Sequence, residues 1–196
     1  MTEPAPDLAE APRVGRPRDP RVDVAIHRAT LALLVEDGYS ATTIQAIARR
    51  ARVSAPSVYR RWSSKAELIE EAVFPSGLLA PEALSGDVIT DPQPYCEQIL
   101  TYLSDPPIRA AIPGLLVEYQ NDPEMWRRVV GRSVIPMRSS FEAYIAKTGC
   151  KPAVPIDALF DVMLGALFTR ALNDGAAGSK EFARSVAQVV TVVLQQ

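Results

Sequence analysis

From Val22 onward, apolar residues recur at spacings of three and four. Val22, Ala25, Ile26, Ala29 and Leu33 form one stripe, which stops at Asp37-Gly38. That pattern predicts an amphipathic helix closed by glycine. Ile44, Ile47 and Ala48 make a second, shorter stripe. Thr42, with Gln45 three residues on, reads as a capping box, so the second helix is expected to open at Thr42 and end near Ala51. Ser54 is a good N-cap for a third helix, and Pro56 falls in its first turn, where no backbone donor is missed. Val58 and Trp62, four apart, are expected to face inward. Ser63 or Ser64 caps a fourth helix, in which Lys65, Leu68, Ile69, Ala72 and Val73 lead to Pro75.

Beyond Pro75 the prolines divide the chain into helical lengths, approximately 93–104, 107–120, 123–147, 155–173 and 179–195. Pro136 lies inside the third of these and should kink or split it. No run of β-branched alternation occurs in the sequence, so the chain is expected to be all-α. The last two segments carry unusually broad apolar faces. Leu159, Phe160, Met163 and Leu167 mark the first, and Phe182, Val186, Val189 and Val193 the second, and these eight are the expected dimer interface. Such helices can bury one side on their own domain, and a second copy of the chain is the simplest partner for the other.

Charge changes the picture. The net charge of −2 over 196 residues conceals a split. Residues 13–65 hold eleven Lys and Arg against four Asp and Glu, a net of +7, whereas residues 66–196 hold ten against sixteen, a net of −6. A basic third on an acidic remainder suggests an anion-binding module joined to a body with another task. Residues 1–12 are Pro, Ala and acid and read as a disordered tail. Residues 13–21 read as an extended basic arm containing Arg13, Arg16, Arg18 and Arg21.

Little supports chemistry or a membrane role. The two cysteines, Cys96 and Cys150, are read as reduced thiols, without metal-ligand spacing. His27 is the one histidine, so a triad or a His-metal site would have to use it. Neither a Gly-rich phosphate loop nor an apolar run of about 18 residues is present. The expectation is a cytoplasmic non-enzyme with no metal, no cofactor and no membrane association.

Three short helices in 22–62, with a tight turn between the second and third, form a helix-turn-helix candidate. In such a unit the third helix enters the DNA major groove while the second crosses the backbone. Residues 38–68, GYSATTIQAIARRARVSAPSVYRRWSSKAEL, resemble the DNA-binding signature of the tetracycline-repressor (TetR) family. The matching positions are Gly38-Tyr39, Thr42-Thr43-Ile44, Ile47-Ala48, Ala51, Val53-Ser54, Val58-Tyr59, Trp62, Lys65 and Leu68. One departure is Arg52, at a turn position that is often glycine in the family.

The resemblance implies roles. Thr42 or Thr43 would bind phosphate at the start of the second helix. Ala55, Pro56, Ser57 and Arg61 match recognition-helix positions that face bases. Tyr59 and Lys65 match phosphate contacts. Arg60 and Arg61 are the candidates for reading guanine, because a guanidinium bonds both acceptors on that edge. The arm, including Arg16 and Arg18, is a candidate for an adjacent minor groove. Tyr39 and Trp62 are expected in the core.

The resemblance further implies an N-terminal DNA-binding domain at 22–64, a connecting helix at 65–75, and a ligand-binding and dimerisation domain at 76–196. The expected partners are a near-palindromic duplex operator, a small-molecule effector and a second copy of the chain. Candidate pocket residues are Tyr95, Tyr102, Leu116, Tyr119, Trp126, Phe141, Tyr144 and Met163. The expected function is transcriptional repression relieved by ligand. The alternative is a helical protein-interaction adaptor, which would lack salt-sensitive DNA binding.

Overall fold

The computed structural model describes residues 19–75, 84–175 and 179–195. Among them there are ten α-helices, one π-helical turn and no strand. The helices are α1 Pro20–Ala41, α2 Ile44–Ala51, α3 Ala55–Tyr59, α4 Lys65–Val73, α5 Pro92–Leu103, α6 Pro106–Asn121, α7 Pro123–Val129, α8 Ile135–Thr148, α9 Ile156–Asp174 and α10 Ser179–Leu194; the π-helical turn, Val130–Val134, joins α7 to α8.

Local chemistry sets most boundaries. Asp19 caps α1 and Ser64 caps α4, each accepting a first-turn N–H; such caps stabilise by about 0.5–2 kcal/mol each. Gly38 departs from helical geometry at φ 76°, ψ 177°, as the glycine stop predicts, and the chain continues past this kink to Ala41. The expected capping box at Thr42 does not form. The Thr42 side chain is buried and its hydroxyl donates to the Gly38 carbonyl at 2.7 Å. Thr43 is the cap instead, accepting from the Ala46 N–H at 3.1 Å. The break expected around Pro136 falls one turn upstream. There the Ile135 N–H bonds to the Val130 carbonyl, five residues back, a widened turn of the kind that accompanies a missing donor.

Three apolar clusters organise the packing. The first joins α1, α2 and α3 through Ile26, Leu33, Ile47, Val58 and Trp62. The second holds α5, α8, α9 and α10 together around Phe141, Phe160 and Leu167. The third is a joint in which Leu34 of α1 and Ile69 and Val73 of α4 meet Ile108, Ile112 and Leu115 of α6. Thus α1 and α4 each belong to two clusters, so movement in α6 reaches the N-terminal helices through packed side chains.

The broad faces of α9 and α10 sort differently from the expectation. Leu159, Phe160, Met163 and Leu167 are buried within the single chain, so they form its core and cannot also form a face for a second copy. Phe182, Val186 and Val193 are half-buried against that core. The apolar side chains turned outward are Val162, Val189 and Val192.

Candidate nucleic-acid interface

The α2–α3 connection turns on Arg52, whose φ of 58° and ψ of 42° lie in the left-handed region. A side chain there costs about 1–2 kcal/mol relative to glycine. The turn is closed by the Val53 N–H, which donates to the Ala48 carbonyl at 3.0 Å. Ser54 then caps α3, and Pro56 occupies its first turn. Ile47, Val58 and Trp62 are buried behind this unit. The Trp62 indole N–H donates to Glu71 at 2.9 Å, which anchors the end of α3 to α4.

The outward surface carries Thr43, Pro56, Tyr59 and Arg60, all exposed, with Ala55 and Ser57 half-exposed beside them. Arg60 reaches back to the Ser57 hydroxyl at 3.1 Å. Arg61 does not join this surface. Its side chain is 12% exposed and ion-paired with Asp23 of α1. It also donates to the Ser57 carbonyl at 2.9 Å and the Ser57 hydroxyl at 3.1 Å. The expectation that Arg61 reads a base is therefore corrected: it braces α3 against α1. Thr42 is likewise removed from the phosphate candidates by its burial, leaving Thr43.

Lys65 is also engaged internally. Its ammonium donates to the Tyr39 carbonyl at 3.0 Å and lies 4.1 Å from the Tyr39 ring centroid. Partial burial lowers its pKa, against the pull of Glu118. The Tyr39 hydroxyl in turn donates to Glu118 of α6 at 3.2 Å. Arg16 and Arg18, with Arg13, lie outside the described residues; Arg21 is exposed at the start of α1. Arg28 and Arg50, which the sequence pattern did not single out, join Arg52 at this end. They wall a cleft of about 540 Å³ floored by Ala25, Ala29, Ala32 and Ala51. The alanines, spaced by three and four along α1, were the available sign of a close α1–α2 approach.

A larger cavity, about 580 Å³, lies in the body, lined from α5, α6, α7, the π-helical turn, α8 and α9. Of the eight expected pocket residues, Leu116, Tyr119 and Trp126 line it. Tyr95, Phe141, Tyr144 and Met163 are instead buried in the body core. There Tyr95 stacks on Phe141 at 6.0 Å, and Tyr144 packs on the same ring at 6.1 Å. Tyr102 donates its hydroxyl to the Val73 carbonyl at the end of α4. Those five are corrected to packing and bracing roles. Lining residues the pattern did not single out include Phe74, Ser133, Met137 and Phe168.

One turn connects the cavity to α4. Val130, Ser133 and Val134 line the cavity, while Arg132 of the same π-helical turn ion-pairs with Glu70 of α4. Burial raises the Glu70 pKa, opposed by the Arg132 bond and charge.

Residues 26–72 match the family model of bacterial regulatory proteins, tetR family, and residues 83–190 match the tetracyclin repressor-like C-terminal domain. The chain belongs to the TetR family. It is 30% identical over 176 residues to the uncharacterized HTH-type transcriptional regulator Rv1556 of Mycobacterium tuberculosis, covering 84% of this chain and 83% of that protein. It is 27% identical over 177 residues to the uncharacterized HTH-type transcriptional regulator YdeS of Bacillus subtilis, covering 88% and 89%. The fatty acid degradation regulator FadR from Bacillus halodurans shares the fold at TM-score 0.68 and 16% identity, covering 90% of this chain and 97% of that one. This TetR-family chain is thus a helix-turn-helix, DNA-binding transcriptional regulator. Its one histidine, His27, is a packing element, with its ring 5.2 Å from Trp62 and its Nε2 3.4 Å from Glu71. Among the described residues no helix is long and apolar enough to cross a membrane.

Proposed function

We propose that the chain represses transcription as a homodimer on a two-fold symmetric operator, and that a small molecule in the body cavity releases it. In this reading Thr43, Tyr59 and Lys65 serve the phosphates. Arg60, Ser57, Pro56 and Ala55 approach the bases, and the arm at 13–21 follows the adjacent groove. Residues 22–64 act as the DNA-binding head, 65–75 as the connecting helix and 76–196 as the sensor and dimer body. The dimer face is the outward side of α9 and α10 around Val162, Val189 and Val192, because these are large apolar side chains left exposed by the single chain. Paired helices from two copies make a four-helix bundle.

The observation that carries ligand release is the shared π-helical turn. It forms part of the cavity wall and holds α4 through Arg132 and Glu70. A ligand that pushes on Val130, Ser133 or Val134 displaces Arg132. Through α4 that displacement changes the angle of the head. Such a ligand must bind the DNA-released arrangement more tightly than the DNA-bound one, and DNA weakens ligand binding by the same factor.

Fluorescence anisotropy of labelled duplex DNA tests the reading. Affinity should fall steeply and linearly on logarithmic axes with salt, as phosphate contacts require. Affinity indifferent to salt would favour the adaptor alternative.

A further inference from the structure

The cavity wall is apolar almost throughout, with Ile99, Leu115, Val129, Met137 and Phe168 representative of five contributing helices. Its polar groups are few and in two different conditions. Arg138 and Asp161, the charged lining residues, are already paired with each other, and the Arg138 guanidinium also lies 5.3 Å from the Phe160 ring centroid. Ser133 and Tyr119 are the opposite case. Both line the cavity, and each has a buried hydroxyl oxygen with no hydrogen-bond partner among the described residues. The Tyr119 ring is fixed by Trp126, with centroids 5.5 Å apart.

Buried hydroxyls are normally satisfied, and an unsatisfied one calls for an explanation. Two from neighbouring walls of one cavity have a common explanation in a ligand that supplies the missing partner. A hydroxyl both donates and accepts, so it suits an alcohol, a ketone or an ester oxygen. A carboxylate would find no cation within the apolar interior, since Arg138 is held by Asp161, whose side chain is 61% exposed to solvent. An ammonium would have to take Asp161 from Arg138. An apolar cavity penalises either unpaired charge heavily.

Resting on the reading that this cavity holds the effector, we propose that the effector is a neutral, largely apolar molecule with a hydrogen-bonding oxygen that Ser133 and Tyr119 bind. The apolar interior, which offers no buried charge as a partner among the described residues, disfavours its charged analogues.

The full-length protein tests this with a neutral dye, Nile red, displaced at pH 8 by 1-decanol or by decanoate. Leu116→Trp, which fills the cavity from its half-open side, should abolish dye binding. In the wild type, decanol should displace the dye at a concentration at least about tenfold below that needed for decanoate. Ser133→Ala should weaken decanol about fivefold to tenfold, the loss of one hydrogen bond, with decanol affinity calculated from the Nile red affinity titrated directly on the same variant. Decanoate matching or exceeding decanol overturns the proposal, as does a decanol affinity indifferent to Ser133→Ala; either leaves the cavity intact as an effector site. Dye binding that persists unchanged in Leu116→Trp, or fails in the wild type, overturns the effector-site reading itself and the proposal with it.

Discussion

Gly114 of α6 lies directly against the ring of Tyr39. A Cβ built on Gly114 would overlap Cγ, Cδ1 and Cε1 of that ring. Tyr39 also carries the Lys65 ammonium over its face and donates to Glu118 one turn along α6. The joint between the helix-turn-helix and the body therefore closes on a glycine, which leaves room for the Tyr39 ring to lie against the α6 backbone. Gly114→Ala should destabilise the protein by about 1–3 kcal/mol through overpacking. Tyr39→Ala in the same chain should recover part of that loss. Urea midpoints of the two single variants and the double variant form a cycle that reads the coupling, and strictly additive losses would mean that the ring is not the obstacle.

Arg60 and Arg61 should behave differently despite their adjacency. Arg60→Ala should weaken operator binding by about 1–3 kcal/mol with little change in melting temperature. Arg61→Ala should lower the stability of the head by about 1–3 kcal/mol, since it strips Asp23 and Ser57 of a charged partner. Asp23→Ala should reproduce most of the Arg61 effect on stability. Thermal melts beside DNA titrations separate the two arginines, and equal melting temperatures for both variants would return Arg61 to the DNA surface.

The outward face of α9 and α10 makes a prediction about assembly. Val162→Glu and Val189→Glu should each yield a monomer with native helix content, because a carboxylate placed in an apolar interface is left unpaired. Sedimentation velocity gives the answer, and an intact dimer in both variants would move the interface elsewhere.

Glu70 sets a pH dependence. Burial raises its pKa, and the Arg132 contact only partly opposes this. A carboxyl whose folded pKa lies above its unfolded value contributes stability at low pH. That contribution is lost as pH rises from the ordinary glutamate value through the raised one. Relative to Glu70→Gln, the wild type should therefore lose stability as pH rises through that window and level off above it. Paired urea titrations across the range measure the difference, and a wild type that gains on the variant with rising pH would reverse the assignment. Glu70→Gln and Arg132→Met should also weaken the response of DNA binding to any cavity ligand while leaving ligand affinity nearly intact.

What the sequence disclosed follows from the range of each signal. Ser54 and Pro56 announce α3 because a cap and a first-turn proline act within a few residues. Gly38 and Pro136 announce breaks for the same reason, although the π-helical turn at 130–134 shows that the strain of a missing donor relaxes upstream of the proline itself. Arg61 was misread because its partner, Asp23, is 38 residues away and no local pattern joins them. The faces of α9 were misread for a different reason. An apolar stripe shows that a helix has something to bury, but Leu159 and Val162 look alike until the neighbouring helices claim one of them. The cavity suffered likewise: Phe141 and Trp126 are equally aromatic, and only tertiary packing decides that one fills the core and the other lines an opening.

Selection from a random-sequence duplex library by the full-length protein tests the central claim most directly. The account predicts enrichment of two half-sites related by a two-fold axis, with centres about 34–36 Å apart, one turn of DNA, and loss of that enrichment with Arg60→Ala. Enrichment of a single asymmetric site, or none at all, would contradict it.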